Sequence, residues 1–198
     1  AWSPALAIEG QARLDRVDPG YLLPDYPGAL SGQLAVDLVQ ADAGWRGTVR
    51  LADLAGTLRG RPVSGRARVD WQGQAGQLDA ALALGESRLQ AAGRIGNRLD
   101  LRVQAQPLRL ADLAQGAGGV VEGELQVQGP PAAPGLVADL KARELRWGEV
   151  QLDAATLRGE LPAHAGDGSL VLDGTGLAFA GRRADGFTLR ADGHARDL

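Results

Sequence analysis

The stretch from Leu78 to Gln106 alternates apolar and polar side chains, with only two short polar breaks. The apolar positions are Leu78, Ala80, Leu82 and Leu84, then Leu89, Ala91, Gly93 and Ile95, then Leu99, Leu101, Val103 and Ala105. Successive side chains of a β-strand point to opposite faces of the sheet, so a period of two is typical of a half-buried strand. The sequence therefore predicts three consecutive strands that share one apolar face.

The lengths of the two breaks are consistent with an antiparallel meander. A four-residue loop, Gly85 to Arg88, would pair Leu84 with Leu89, and a three-residue loop, Gly96 to Arg98, would pair Ile95 with Leu99. A slip of one residue would turn every leucine towards water, which makes this register strongly specified.

The same alternation runs through most of the chain and predicts an all-β fold. Further strand segments are predicted at 32–38, 45–51, 54–58, 65–72, 121–127, 136–140, 145–147, 150–152, 157–161, 170–172, 177–179 and 187–189. Residues 18–28, which hold three prolines, predict a loop or a single helical turn, and residues 107–115 allow one turn of helix. The Pro-rich stretch 129–135 is interpreted as a long turn, so that residues 1–198 form a single continuous segment.

Composition supports a folded chain with an unusual interior. The 198 residues are 44% hydrophobic and 23% charged, with 29 glycines and only 4% aromatics, so small side chains must occupy much of the apolar face. The net charge of −3 comes from both signs spread along the chain. There is no basic block, which excludes a nucleic-acid-binding protein.

We find no motif for catalysis, a cofactor or a metal. The chain has no cysteine, His164 and His194 stand alone, and no Gly-x-Ser-x-Gly motif surrounds any serine. The Gly- and Asp-rich turns around Asp167 and Asp173 are similar to calcium-binding turns, but two aspartates separated by an apolar strand cannot supply six to eight ligand oxygens. We therefore predict a protein that is not an enzyme and holds no metal or cofactor.

No run approaches the roughly 18 apolar residues of a membrane-spanning helix. The chain starts Ala1-Trp2-Ser3-Pro4, without Met, and we expect it to be an internal piece of a longer protein. Such a piece would expose edge strands, so we expect self-association through residues near 1–14 or 187–198.

Several segments resemble the TamB family of AsmA-like periplasmic proteins. Residues 21–32, Tyr-Leu-Leu-Pro-Asp-Tyr-Pro-Gly-Ala-Leu-Ser-Gly, are similar to the family's Leu-Pro-x-aromatic-Pro-x-x-Leu-Ser-Gly segment. Trp45 and the Leu-x-Gly-x-Leu stretch at 54–58 follow as they do in the family. Residues 84–101, and the stretch from Gly129 to Trp147, are similar to its strand-and-turn units. The family's usual Gly-x-Asn is Gly85-Glu86-Ser87 here.

The resemblance implies an elongated, twisted, mostly antiparallel sheet folded like a taco shell, with an apolar concave groove. It further implies a periplasmic location, a parent protein anchored in the inner membrane, and a groove that carries phospholipid between the inner and outer membranes. The implied partners are phospholipid and the outer-membrane barrel TamA, with a possible role in the assembly of outer-membrane proteins.

The predicted lining of this groove consists of the apolar residues of the alternating strands. They are Val69, Trp71, Leu82, Leu84, Leu89, Ile95, Leu99, Leu101, Val103, Leu125, Val127, Leu140, Leu152, Leu157, Leu172, Leu177, Phe179, Phe187 and Leu189.

Alternation requires one apolar face but does not say whether protein fills it or lipid contacts it. A closed sandwich, which would be a structural domain that binds a protein partner by strand addition, is the alternative. The many inward Gly and Ala residues favour a groove.

Overall fold

The computed structural model describes residues 6–42, 44–163 and 166–195. In these ranges twelve strands alternate with tight turns. They are β1 (Ala7–Val17), β2 (Gly28–Ala41), β3 (Gly44–Leu58), β4 (Arg61–Gly73), β5 (Ala75–Leu84), β6 (Ser87–Gly96), β7 (Leu99–Arg109), β8 (Ala117–Gly129), β9 (Gly135–Trp147), β10 (Val150–Leu161), β11 (Gly166–Phe179) and β12 (Arg182–Ala195). A 3-10 turn spans Pro19–Tyr21, and α1 spans Leu110–Leu113.

The strands are hydrogen-bonded in sequence order, from β1 to β12, in one open sheet. Neighbouring strands run antiparallel, as the short connections require. The predicted all-β class and the three-strand meander are therefore confirmed, and so are the helical turns predicted near 18–28 and 107–115. The sheet is not closed by hydrogen bonds, because β1 and β12 are the two ends of the strand order.

By backbone contacts the chain forms two compact units. The first unit contains Ala1–Gly85 and Gln90–Arg98, and the second contains Glu86–Leu89 and Leu99–Leu198. Each unit is an antiparallel meander, and β6 contributes residues to both. Residues 130–134 connect β8 to β9 within the second unit.

β-bulges explain why the apolar residues of one strand switch between odd and even residue numbers. In β3 the register shifts between Leu51 and Leu54, and Asp53 there has a φ of 51°. In β1 a similar shift follows Leu14, beside Arg16 with a φ of 49°. A bulge inserts one extra residue, so an apolar face can continue across a change of sequence parity. Residues 54–58 are consequently the second half of β3 and not a separate strand.

Two loops are shorter than predicted. β6 begins at Ser87, so the preceding loop holds Gly85 and Glu86 only, and β7 begins directly after Asn97 and Arg98. Ser87 belongs to the strand because of contacts distant in sequence. Its Oγ accepts a hydrogen bond from the Arg109 backbone N–H at 2.9 Å and donates one to Asp112 Oδ2 at 2.7 Å.

We expect Ser87→Ala to lower the free energy of unfolding by about 1–3 kcal/mol, because it removes a hydrogen bond to a buried carboxylate. Ser87 is 3% and Asp112 is 1% exposed. Ser64→Ala, at an exposed position of β4, is the matched control and is expected to change little. Urea unfolding followed by circular dichroism measures both, and equal midpoints for the two variants would contradict the role assigned to Ser87.

The apolar side chains of the strands are only partly covered. The solvent-accessible surface is 13195 Å², whereas a compact 20.6 kDa monomer exposes about 8,900 Å² and two separate globular bodies of half that mass expose about 10,700 Å². Among the described residues, the buried apolar side chains are Val63, Leu84, Ala105, Ala117, Ala138 and Ala155. Most leucines and valines of the strands are only half-buried. The units thus keep a broad apolar surface in contact with solvent.

Candidate functional site

In the second unit, cross-strand pairing aligns apolar side chains into rows that run across the strands. One row is Val103, Leu125, Ala138, Gly159, Leu170 and Ala191, and the next is Ala105, Gly123, Leu140, Leu157, Leu172 and Leu189. Directly paired residues lie on the same face of an antiparallel sheet. We call this surface the apolar face of the second unit.

The first unit has an apolar face of the same kind. One row is Gly10, Val36, Val49, Val69 and Leu78, and the next is Ile8, Leu38, Gly47, Trp71 and Gly76. The residues between these rows point to the opposite face and pair there, as Thr48 does with Asp70 and Arg50 with Arg68. Each unit therefore separates apolar from polar side chains by strand register.

The polar face of the second unit carries a network of charges centred on Glu124. Its carboxylate lies 2.8 Å from the Arg102 guanidinium and accepts hydrogen bonds from Gln126 and Gln104 at 2.8 and 3.0 Å. These two amides first, and the charge of Arg102 after them, lower the pKa of Glu124. A face of paired and hydrogen-bonded charges retains its water and does not bind hydrocarbon.

On the polar face of the first unit, Asp70 accepts three short hydrogen bonds. Arg68 Nε and Nη2 donate to its two oxygens at 2.7 and 2.8 Å, and Thr48 Oγ1 donates at 2.7 Å. The bonds from Arg68, and then that from Thr48, lower the pKa of Asp70 to about 2. The carboxylate therefore stays charged in the folded chain well below its usual pKa.

We expect Asp70→Asn to destabilise the chain at neutral pH and to have little effect near pH 2. A carboxyl whose folded pKa is lowered stabilises the fold above its unfolded pKa, near 3.8, and loses that contribution as the pH falls to about 2. Urea midpoints of the wild type and the variant, measured at pH 7, 4 and 2, should converge on acidification. A difference that is constant with pH would contradict this assignment.

The structure brings most of the predicted lining residues into the paired rows. Leu101 pairs with Val127 and Val103 with Leu125, while Val69 pairs with Leu78. Leu89 and Ile95 of β6 are half-buried, as the alternation predicts. Exposure is not uniform among the predicted residues, since Leu84 is buried whereas Leu82 and Leu189 are exposed. Phe179 is also exposed, and it pairs with Arg182 outside the apolar rows. The lining role of all these residues stays a prediction.

The predicted groove lining left out several residues that share these rows. In the second unit they are Leu136, Leu161 and Leu170, and in the first they are Val36, Val49 and Leu78. Their alternation is visible in the sequence. Their membership of a row requires the cross-strand register, which the bulges shift.

The described residues contain no group of three or more His, Asp or Glu side chains that could hold a metal ion. Asp167 and Asp173 lie six residues apart on β11, which is about 20 Å along an extended strand. Asp173 Oδ1 instead accepts a hydrogen bond from Thr188 at 2.6 Å. His164 and the side chain of His194 lie outside the described residues.

In the part of the chain that the structure describes, no helix is both long enough and apolar enough to cross a membrane.

Comparison with known proteins finds a matching protein family and a curated relative. A family model described as "TamB, N-terminal domain" matches residues 1–197. A curated relative from Haemophilus influenzae, "Translocation and assembly module subunit TamB", is 27% identical over 183 residues. The match covers 91% of this chain but only 14% of the relative, so the chain spans a small part of the length of that protein. No solved structure matches.

Proposed function

Because the chain belongs to the TamB family, we propose that it is a non-enzymatic segment of a lipid conduit that spans the periplasm between the inner and outer membranes. The acyl chains of phospholipid lie against the apolar faces, and the headgroups stay in water beside the polar side chains. The observation that carries this proposal is the continuity of half-exposed apolar rows across consecutive strands.

The driving force is the removal of hydrocarbon from water, worth about 25 cal/mol per Å² of apolar surface. Neighbouring rows such as the pairs Leu101–Val127 and Val103–Leu125 present similar apolar surfaces, so an acyl chain gains a similar free energy on each. A lipid can then move from row to row with little net change in free energy. No bond is formed or broken, so the proposal requires no catalytic residue, metal or cofactor.

We further propose that the sheet curls around its apolar faces to form the β-taco groove. Support comes from bulges in β1, β3, β7 and β9, which bend and twist the strands that carry them. Gly159, a member of an apolar row, has a φ of 137°, and a Cβ there would lie 2.0 Å from the Ser169 carbonyl oxygen. Glycine in a strand interior often marks such a bend.

The family name also supports partners for the longer protein. A translocation and assembly module subunit is expected to work with the outer-membrane barrel TamA, and a role in the assembly of outer-membrane proteins fits the same name. We propose a periplasmic location for this segment, with its parent protein anchored in the inner membrane.

Native mass spectrometry of the purified chain tests the proposal. We expect adducts with the masses of phospholipids that survive gentle desolvation, because the half-exposed leucines leave apolar surface available to acyl chains. A chain that is folded by circular dichroism but free of phospholipid, even after incubation with phospholipid in detergent, would overturn the conduit.

A second candidate function is the binding of a protein strand at a sheet edge. β1 and β12 are the terminal strands of the sheet order, and each is hydrogen-bonded to one neighbour only. The pairing of β11 with β12 shows no register shift from Gly166 to Phe179, so β12 is a long edge strand without a bulge. Such an edge is a template for a further strand.

We expect concentration-dependent association of the chain through these edges. Proline substitutions in β12, at backbone N–H groups that point away from β11, should reduce the association because proline cannot donate a hydrogen bond. Light scattering over a concentration series measures the effect. A strict monomer at the highest concentration would exclude strand addition between copies.

A further inference from the structure

The connection between β1 and β2 presents an exposed apolar tip, residues 19–24, with the sequence Pro-Gly-Tyr-Leu-Leu-Pro. Tyr21 is 91%, Leu22 87% and Leu23 57% exposed. These three consecutive side chains lie outside the apolar rows of the strands. Large contiguous apolar groups that remain in solvent are typical of an interaction site.

The tip is held in place by its base. Asp18 Oδ1 accepts hydrogen bonds from the backbone N–H groups of Gly20 and Gly28, both at 2.8 Å, and so joins the two ends of the connection. On the returning side, the Arg59 backbone N–H donates to the Pro27 carbonyl at 2.7 Å, and the Arg59 guanidinium lies 5.8 Å from the centre of the Tyr26 ring. These contacts at the base therefore hold the tip in its exposed position.

The backbone donors of the tip are already satisfied. Pro19 and Pro24 have no N–H, and Gly20 donates to Asp18. Leu22 and Leu23 donate to the Pro19 carbonyl at 3.0 and 2.9 Å, and Tyr21 donates to the Asp18 carbonyl at 3.5 Å. Unsatisfied backbone groups are what normally keeps a loop out of hydrocarbon. This tip can leave water without exposing a free N–H group to an apolar medium.

We propose that residues 19–24 insert into the interface of a phospholipid bilayer. Two leucines supply the apolar surface, and Tyr21 supplies an aromatic ring with a hydroxyl, a combination that is favoured at the boundary between acyl chains and headgroups. The tip carries no charge, and Asp18 and Asp25 flank it. A zwitterionic surface is therefore the complementary one, and anionic lipid is not needed. This inference does not depend on lipid binding by the apolar faces.

The absence of cysteine allows a probe at a single site. We would attach the environment-sensitive dye NBD to Leu22→Cys and, as the matched control, to Asp42→Cys in the exposed turn after β2. With vesicles of phosphatidylcholine alone, the emission of the probe at 22 should shift to the blue and brighten, and the emission at 42 should not change. Vesicles that also contain phosphatidylglycerol should bind no more tightly.

Vesicle co-sedimentation provides the second readout. Leu22→Ser and Leu23→Ser should each weaken binding about tenfold, the factor expected for one leucine withdrawn from water. Val39→Ser, which removes another exposed apolar side chain of the first unit, should leave binding unchanged. Circular dichroism checks that each variant is folded.

Three results would overturn the proposal. The first is no spectral shift at position 22 with phosphatidylcholine vesicles, or an equal shift at 42. The second is a shift that appears without vesicles as the protein concentration rises, which would identify a second copy of the chain as the occupant. The third is unchanged co-sedimentation of the two serine variants.

Discussion

Gly47→Ala should lower the free energy of unfolding by about 3 kcal/mol or more, the largest effect on stability that we expect from one methyl group. Gly47 lies within β3 and has a φ of 134°, a conformation that L side chains rarely adopt. An added Cβ would lie within 1.9 Å of the Asp37 carbonyl oxygen in β2, so the two strands would have to separate.

Gly10→Ala is the matched control for this substitution. Gly10 also lies within a strand of the first unit, but a Cβ added there meets nothing within 4 Å. The control should be neutral or stabilising by up to about 1 kcal/mol, because alanine restricts the unfolded chain. Urea midpoints compare the two variants. Equal midpoints would mean that the close approach of β2 and β3 at Gly47 does not contribute to stability.

Leu101→Asn should reduce the phospholipid that co-purifies with the chain by about tenfold, the factor expected when one leucine of the binding surface becomes polar. Leu101 is half-buried in an apolar row, paired with Val127. An amide at this position must be taken out of water, without a partner, whenever an acyl chain covers it. Quantitative lipid analysis of the purified variant measures the loss.

Asp100→Asn places the same side chain one residue away, on the polar face. Asp100 is exposed and pairs with Gln128, so this variant should retain its lipid. Both variants should stay folded, because Leu101 is only half-buried and Asp100 is exposed. Unfolding of Leu101→Asn, or equal lipid loss in the two variants, would contradict the separation of the two faces.

The strand pattern could be predicted because side-chain alternation is a local property. The apolar positions Leu99, Leu101 and Val103 identify β7 and its face directly, and their pairing partners in β8 follow the same period. The two helical turns could also be predicted from local sequence. Pro19 marks the start of the 3-10 turn, and the spacing of Leu110 and Leu113 indicates α1.

The bulges could not be predicted because nothing local marks them. Arg16 and Asp53 adopt positive φ values although neither is glycine, and the cause lies in the pairing with a neighbouring strand. The early start of β6 has a similar origin. Ser87 is held by Arg109 and Asp112, which are more than twenty residues away in sequence.

The function of the apolar face could be predicted only through the family resemblance. Alternation identifies which residues share a face, but a leucine such as Leu140 would show the same pattern in a filled core and in an open groove. In the structure the ends of the sheet are not joined by hydrogen bonds, and Leu140 and Leu157 are half-buried. Partial exposure of this kind is what an open groove predicts.

The most direct test of the lipid conduit is site-specific photo-crosslinking along residues 99–104. A photoreactive amino acid would be placed at one position at a time in the protein expressed in the envelope of a Gram-negative bacterium. We predict that positions 99, 101 and 103 capture phospholipid and that positions 100, 102 and 104 do not, which gives a period of two. Equal capture at all six positions, or capture at none, would contradict the conduit.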